Sequence, residues 1–186
     1  MSLQKQQDFL ARLFTDEDLR QNFLSEPAKI GAENGLSEKE IEDLKAILPE
    51  ELRFFADSLF WKRLREVEKF LPLTKKLLSE DFTKCFRQFS QNFNPQTVKK
   101  HFEDAIGFCK FLRAQNISEL AKNAAKFEKS KLEFFGGGKR LVFCKLDFDI
   151  NKIPLGNIAI ETLNLEKKTQ IAVWVKIGKK NKHFFI

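Results

Sequence analysis

The longest uninterrupted helical pattern in the chain covers residues 49–71, and it constrains the fold more than any other stretch. The segment reads PEELRFFADSLFWKRLREVEKFL, and after Pro49 it contains neither glycine nor proline until Pro72. Proline fits the first turn of a helix, where its missing N–H leaves no partner unsatisfied. Apolar side chains recur at helical spacing over one broad face, which predicts a central helix packed against several neighbours.

A basic cluster occupies the middle of this predicted helix. Its members are Lys62, Arg63, Arg65 and Lys69. A row of cations on a helix is typical of a solvated face, and it also suits an acidic partner. The acidic side chains of residues 16–43 are a third possibility, since they could neutralise the cluster within the chain. We predict that these four residues form a contact surface.

Charge is distributed unevenly along the 186 residues. Residues 1–50 carry 6 Lys and Arg against 11 Asp and Glu, whereas residues 51–130 carry 16 against 10 and residues 131–186 carry 11 against 5. The chain as a whole has a formal charge of +7. An acidic first part followed by a basic remainder indicates internal charge complementarity, an anionic partner, or both.

The cysteines and the N-terminus indicate a reducing compartment. Cys85, Cys109 and Cys144 are odd in number and widely spaced, which favours free thiols over a disulfide framework. The N-terminal MSLQKQQDFL lacks the apolar run of a signal peptide. No apolar run approaches the ~20 residues that a membrane span needs. We therefore expect a cytoplasmic protein without a membrane partner.

Capping and breaking residues divide the first part of the chain into helices. Ser37 and Glu40 form the clearest signal, a capping box that predicts a helix start near residue 38. Thr15 and Asn94-Pro95 are also typical of helix starts. The expected helices cover residues 3–14, 16–24, 27–34, 38–48, 49–71, 73–78, 82–93, 94–114 and 118–129.

The pattern changes from helical to alternating near residue 131. Gly136-Gly137-Gly138 breaks the helices, residues 141–148 alternate as strands do, and residues 171–177 are strongly β-prone. Pro154 and Gly156 indicate a loop, followed by strand-like Ile158, Ile160 and Leu163. We predict the α+β class, with an all-α helical domain at residues 1–130 and a small antiparallel β domain at residues 131–186.

No pattern in the chain indicates catalysis, a metal site or a cofactor. His101 and His183 lie in none of the metal-binding motifs. His101 and Cys109 are eight residues apart, about 12 Å along a helix, which is too far for a nucleophile and its base. The three glycines before Lys139 lack the spacing of a phosphate-binding loop, so a flexible connector is favoured. We expect no catalytic residue, no metal and no cofactor.

The predicted C-terminal hairpin offers a second candidate surface. Its basic residues are Lys176, Lys179 and Lys180, with Trp174 beside them. A peptide could add a strand to the edge of the predicted sheet, with Trp174 as its anchor. The alternative is that Trp174 lies in the core and packs on the helices.

Two regions of the chain carry a resemblance to a known family. The first contains Phe9-Leu10-Ala11-Arg12-Leu13-Phe14-Thr15-Asp16, Leu19-Arg20, Phe23-Leu24, Pro27, Gly35-Leu36-Ser37 and Glu40. The second runs from Lys62-Arg63 to Leu71-Pro72 and continues with Leu78, Phe82, Phe86 and the segment from Glu103-Asp104 to Phe111-Leu112. Together they resemble the helical accessory proteins that bacteria encode beside TIM-barrel, multinuclear-iron peptide-modifying enzymes, such as the methanobactin partner subunit. A related group has been labelled DNA-binding.

The resemblance covers roughly residues 8–113 and the layout of a β-rich tail. It implies a non-catalytic accessory or adaptor protein that binds a multinuclear-iron enzyme or its precursor peptide in ribosomal peptide natural-product modification. The iron ligands of that family belong to the enzyme, so no catalytic residue is implied here. The alternative is a regulator that binds nucleic acid through its basic surface.

Overall fold

The computed structural model describes residues 3–95, 97–153 and 167–186. Within these ranges the chain forms helices up to residue 136 and a three-stranded antiparallel sheet from residue 141 onwards. The predicted α+β class, with helices first and a small antiparallel sheet after them, is confirmed. Among the helices in these ranges, none is both long and apolar enough to cross a membrane.

The bounds of the elements follow the chain order. The helices are α1 (Leu3–Thr15), α2 (Glu17–Ser25), α3 (Pro27–Glu33), α4 (Glu38–Lys45), α5 (Pro49–Phe70), α6 (Pro72–Leu78), α7 (Glu80–Gln91), α8 (Lys100–Leu112) and α9 (Glu119–Gly136). The strands are β1 (Leu141–Phe148), β2 (Lys167–Ile177) and β3 (Lys180–Phe185), with a 3-10 helix at Ile150–Lys152. The expected loop at Pro154 and Gly156 and the expected strand at Ile158, Ile160 and Leu163 lie outside the described residues.

Short polar motifs begin several of these helices. Ser37 N donates to Glu40 Oε2 at 2.8 Å, and Glu40 N donates to Ser37 Oγ at 3.4 Å. These bonds are the predicted capping box of α4. Helix α2 is capped by Asp16, one residue after the predicted Thr15, and its carboxylate accepts from Leu19 N at 2.8 Å.

Helix α8 begins later than the sequence predicts. The Asn94-Pro95 pair is typical of a helix start, yet the helix begins only after Lys99. Lys99 N donates to Thr97 Oγ1 at 3.2 Å, so a local side-chain bond holds a turn before the helix. Val98 lies in this turn and is fully exposed.

The chain forms two compact units. The first comprises Met1–Arg63 and Ser90–Asn94, and the second comprises Leu64–Phe89 and Pro95–Ile186. The expected domain boundary between residues 130 and 131 falls inside α9, and both sides of it belong to the second unit. The physical reason is packing, because Ala124 and Phe134 of α9 share one hydrophobic cluster with the strands.

Helices α1 to α4 supply the hydrophobic core of the first unit. Its buried members are Phe9, Leu13, Phe23, Leu36, Ile41 and Leu44. Phe9 and Phe23 meet edge to face, with ring centroids 5.3 Å apart. The nearly buried Arg20 donates from Nη1 to Leu13 O at 2.8 Å, which places part of its charge against a carbonyl of α1.

Phenylalanine supplies much of the helical core of the second unit. Phe82, Phe86 and Phe89 of α7 surround Phe108 of α8, with ring centroids 5.2, 5.2 and 5.5 Å from it. These contacts are edge to face or tilted, the arrangements that aromatic quadrupoles favour. A phenyl ring needs no hydrogen-bond partner, which explains how a chain with 21 Phe and no Tyr fills this interior.

The sheet of the second unit has the order β1-β2-β3, so β2 is central. Phe143 pairs with Val173, and Val173 pairs in turn with Phe184. The hairpin between β2 and β3 turns at Gly178, whose φ of +60° is a conformation that glycine adopts readily. Burial alternates strictly along most of β1, which gives the sheet two distinct faces.

Candidate partner-binding surface

One face of the sheet, called the inner face below, is buried against α9. Its β1 members Val142, Cys144 and Leu146 are at most 8% exposed and share a hydrophobic cluster with Ala124 and Phe134 of α9. Removing such side chains from water is the main stabilising contribution to this half of the unit.

Trp174 lies on β2 at the inner face and is 1% exposed. His183 stacks on it with ring centroids 4.7 Å apart, and Phe127 of α9 lies 5.2 Å from it. This placement corrects the expectation that Trp174 is an exposed anchor for a peptide. It agrees with the alternative that Trp174 belongs to the core, because the alternation of β2 directs it toward α9.

The opposite face, called the outer sheet face below, is largely apolar. Most of its side chains are exposed, but Val173 at its centre is 3% exposed and Val175 is half-buried. Its members are Leu141, Phe143, Lys145, Ile171, Val173, Val175, Ile177, Lys180, Lys182, Phe184 and Ile186. Phe143 is 63% exposed and Phe184 is 45% exposed. Ile186 belongs to this face because two backbone hydrogen bonds, of 2.8 and 2.9 Å, join it to Ile171. The outer sheet face therefore exposes apolar side chains of all three strands to water.

Three lysines border the outer sheet face. Lys145 lies opposite Ile171, Lys182 opposite Val175 and Lys180 opposite Ile177. Among the described residues, no carboxylate forms an ion pair with any of these three lysines. Cations at the border of an apolar face favour an anionic group that reaches it.

The predicted hairpin residues Lys176, Lys179 and Lys180 are all exposed. Only Lys180 lies on the outer sheet face, because Lys179 is in the turn and Lys176 has the parity of the inner face. The sequence therefore placed the basic hairpin correctly, but the register divides its lysines between the two faces.

The predicted basic cluster on α5 is divided between the two units and is not uniformly exposed. Lys62 is exposed in the first unit, and Arg65 and Lys69 are exposed in the second. Lys69 Nζ lies 2.6 Å from Glu66 Oε1. Arg63 is only 7% exposed, and its Nη2 donates to Phe93 O at 2.8 Å. This burial corrects the expectation that Arg63 contributes to a contact surface.

Among the described residues, β1 is an edge strand of the sheet, and side chains of α9 bind its backbone. Lys126 Nζ donates to Lys145 O at 2.5 Å, and Asp147 N donates to Asn123 Oδ1 at 2.8 Å. The other edge strand, β3, carries lysines, which oppose the addition of a further strand. Both edges therefore have features that disfavour the predicted strand addition, whereas the outer sheet face has none.

The most perturbed carboxyl group lies on α9 near the start of α6. Glu128 accepts from Leu73 N at 2.7 Å, from Thr74 N at 3.0 Å and from Thr74 Oγ1 at 2.7 Å. Burial raises the pKa of Glu128 to about 7, although the three hydrogen bonds act in the opposite direction. Because all three donors belong to α6, these hydrogen bonds join α9 to α6 and account for the buried position of the carboxyl group.

The thiols are not poised for nucleophilic chemistry. Burial raises the pKa of Cys109 well above its usual value, and it also raises the pKa of Cys85 and of Cys144. A raised pKa reduces the thiolate fraction on which cysteine reactivity depends. Within the described ranges, no group of three or more His, Cys, Asp or Glu side chains could hold a metal ion.

The first unit contains an acidic cavity of ≈ 320 Å³. It is lined by Asp16, Glu17, Asp18, Leu19, Asn22, Gln91 and Asn92. Asp16 is engaged as the cap of α2, and Glu17 Oε2 accepts from Gln91 Nε2 at 3.5 Å. Two of the carboxylates that line the cavity are therefore engaged in local hydrogen bonds with a structural role.

The outer sheet face was not predicted as a site, although a signal for it is present in the sequence. Residues 171–175 are apolar at both parities, a pattern typical of a strand that is covered on both faces. In the structure α9 covers one of these faces. The apolar residues at both parities of this strand, and not the basic residues, indicate the outer sheet face.

The structure therefore divides both predicted contact surfaces, the basic cluster on α5 and the basic hairpin. The residues that it brings together on one surface are those of the outer sheet face. The resemblance to accessory proteins of iron enzymes stays a prediction. A scan against models of known protein families and a search of curated proteins find no match for this chain.

Proposed function

We propose that this protein is a non-catalytic accessory or adaptor protein that binds a partner protein through its outer sheet face. The observation that carries the proposal is an apolar face with exposed Phe143, Phe184 and Ile177 on a sheet whose other face is already packed. Contiguous exposed apolar surface of this kind is typical of protein-binding sites.

The chemistry of the face favours a protein over nucleic acid. Bases stack on aromatic rings, and the outer sheet face offers only Phe143 and Phe184 for stacking. Its remaining apolar members are aliphatic and suit the side chains of another protein. On this face, the alternative function, a regulator that binds nucleic acid through basic residues, is supported by Lys145, Lys180 and Lys182.

The family resemblance suggests which partner to test. In the accessory proteins that the chain resembles, the partner is a multinuclear-iron enzyme that modifies a precursor peptide. We extend this to the present chain as part of the proposal, with the enzyme or the peptide as partner and no cofactor held by the chain itself. The three free thiols Cys85, Cys109 and Cys144 support a cytoplasmic location, where thiols stay reduced.

Co-expression tests the proposal. The tagged full-length chain is produced with each enzyme encoded beside its gene, and a stable complex is expected with one of them. The double variant Phe143→Ser, Phe184→Ser should lose the complex, whereas Phe135→Ser, which removes an exposed phenyl ring from α9, should keep it. A complex that survives the double variant would contradict binding through the outer sheet face, and so would the lack of any complex.

A further inference from the structure

We infer that the outer sheet face binds an amphipathic α-helix of the partner protein, apolar on one side and acidic along its two flanks. This inference rests on the proposed function and specifies the element that the face recognises.

The layering of the second unit points to a helix. The inner face of the sheet is covered by α9, which contributes Ala124, Phe127 and Phe134 to the shared cluster. The outer sheet face carries side chains of the same kind, but most of them are exposed, among them Phe143 at 63% and Ile186 at 74%. A sheet that is apolar on both faces is typical of a three-layer arrangement with helices on both sides. A partner helix would supply the third layer.

The dimensions of the face match one helix. Three strands spaced about 4.8 Å apart give a face about 10 Å wide, close to the diameter of an α-helix with its side chains. Residues 171–177 of β2 extend over about 20 Å, which a helix of about 13 residues spans. One helix therefore covers the face along its full length.

The positions of the lysines specify the charge of that helix. Lys145 lies at one corner of the face, beside Ile171, and Lys182 lies at the diagonally opposite corner, beside Val175. Leu141 and Ile186 occupy the other two corners. The apolar diagonal from Leu141 to Ile186 thus has a cation on each side. A helix on this diagonal gains from Asp or Glu on both flanks.

The alternatives fit the face less well. Strand addition would use an edge, and the edge of β1 is bound by Asn123 and Lys126 whereas β3 carries lysines. Strand addition would also leave the exposed apolar side chains in water. Nucleic acid would leave the aliphatic side chains without a partner.

Peptide selection tests the inference. A display library of random 16-residue peptides is selected on the full-length protein, and binders to the Phe143→Ser, Phe184→Ser variant are removed. Enriched peptides should have apolar residues at i, i+3, i+4 and i+7 and an excess of Asp and Glu. Enrichment of alternating peptides, enrichment of basic peptides, or no enrichment would each overturn the inference.

Charge reversal provides a quantitative arm. The affinity of the best enriched peptide is measured by fluorescence anisotropy for the double variant Lys145→Glu, Lys182→Glu. The matched control is the double variant Lys110→Glu, Lys152→Glu, whose lysines are exposed elsewhere in the second unit. The first pair should weaken binding by about 10-fold or more, and the matched pair by less than about 2-fold. Equal losses for the two pairs would show that only net charge matters and would overturn the role of the corners.

Other occupants are distinguished by three measurements. Light scattering should show the same monomeric mass for the wild-type chain and for Phe143→Ser, Phe184→Ser, and a dimer that the variant abolishes would assign the face to a second copy. Tight binding to an oligothymidylate or to phosphatidylserine vesicles that the same variant abolishes would also overturn the inference. If the co-expressed complex still depends on Phe143 and Phe184 in these cases, the proposed function stands and only the helical partner is wrong.

Discussion

The two faces of the C-terminal sheet are built from similar side chains but have opposite surroundings. Val142 and Leu146 on the inner face are buried, whereas Leu141 and Phe143, their neighbours along β1, are exposed. Apolar burial stabilises the folded chain only where a second layer is present. The inner face therefore contributes to stability through burial, whereas the outer sheet face contributes little, and binding through it is our proposal. Substitutions should therefore separate these two properties.

The largest effect is expected at the centre of the inner face. Trp174→Ala removes the side chain that stacks on His183 and packs against Phe127, so it should lower the free energy of unfolding by about 3–5 kcal/mol. Urea unfolding followed by circular dichroism measures this loss. A loss below about 1 kcal/mol would contradict the assignment of Trp174 to the core.

The next effect concerns the attachment of α9, the helix that covers the inner face. The pKa of Glu128 is raised from 4.5 to about 7, so the folded chain holds this proton more tightly than the unfolded chain does. The resulting stability is fully present below pH 4.5 and is lost as the pH rises through 7. The change amounts to about 3 kcal/mol for a shift of this size.

Comparison with Glu128→Gln isolates this contribution, because the variant cannot titrate at this position. The stability of the wild-type chain relative to the variant should decrease between pH 4.5 and pH 8 when both are unfolded in urea across this range. A difference that is independent of pH would show that the bonds from Leu73 and Thr74 cancel the effect of burial on the pKa, and a difference that increases with pH would show that they outweigh it.

A smaller effect is expected where α9 binds the edge of β1. Asn123→Ala leaves Asp147 N without its side-chain acceptor and should cost about 1–2 kcal/mol. Hydrogen exchange of the Asp147 amide is the direct measurement, and the exchange should become faster. Unchanged protection in the variant would mean that this bond does not hold the edge.

The smallest effect on stability is expected on the outer sheet face. Phe143→Ser changes a side chain that is 63% exposed, so the free energy of unfolding should change by less than about 1 kcal/mol. The same unfolding experiment as for Trp174→Ala provides the comparison. A loss as large as that of Trp174→Ala would mean that the outer sheet face is part of the core, and the contrast between the faces would disappear.

Local patterns predicted most of the secondary structure. The capping box at Ser37 and Glu40 and the alternation along β1 depend on neighbours within a few residues, so the sequence contains all the information needed. The start of α8 is the local exception, because the side chain of Thr97 holds a turn that the Asn94-Pro95 pair does not indicate.

Contacts between distant parts of the chain explain what the sequence did not predict. Arg63 is buried because it reaches the carbonyl of Phe93, 30 positions away, and Glu128 meets Thr74 across 54 positions. Pairings of this kind leave no periodic signal. The expected boundary at residue 130 falls inside α9 for the same reason. The helical pattern of this segment gives no indication that the helix covers the sheet.

The register of the sheet has a consequence for the direction of any bound helix. A half-turn about Val173 exchanges Phe143 with Phe184 and Lys145 with Lys182, and it brings Leu141 onto the position of Ile186. The face is thus close to a palindrome. Ile177 and Lys180 extend the face beyond this symmetric part at one end only. Over the symmetric part a helix and the same helix in reverse meet nearly equal surroundings, so the polarity of a partner has to be set at that end or by contacts elsewhere in that protein.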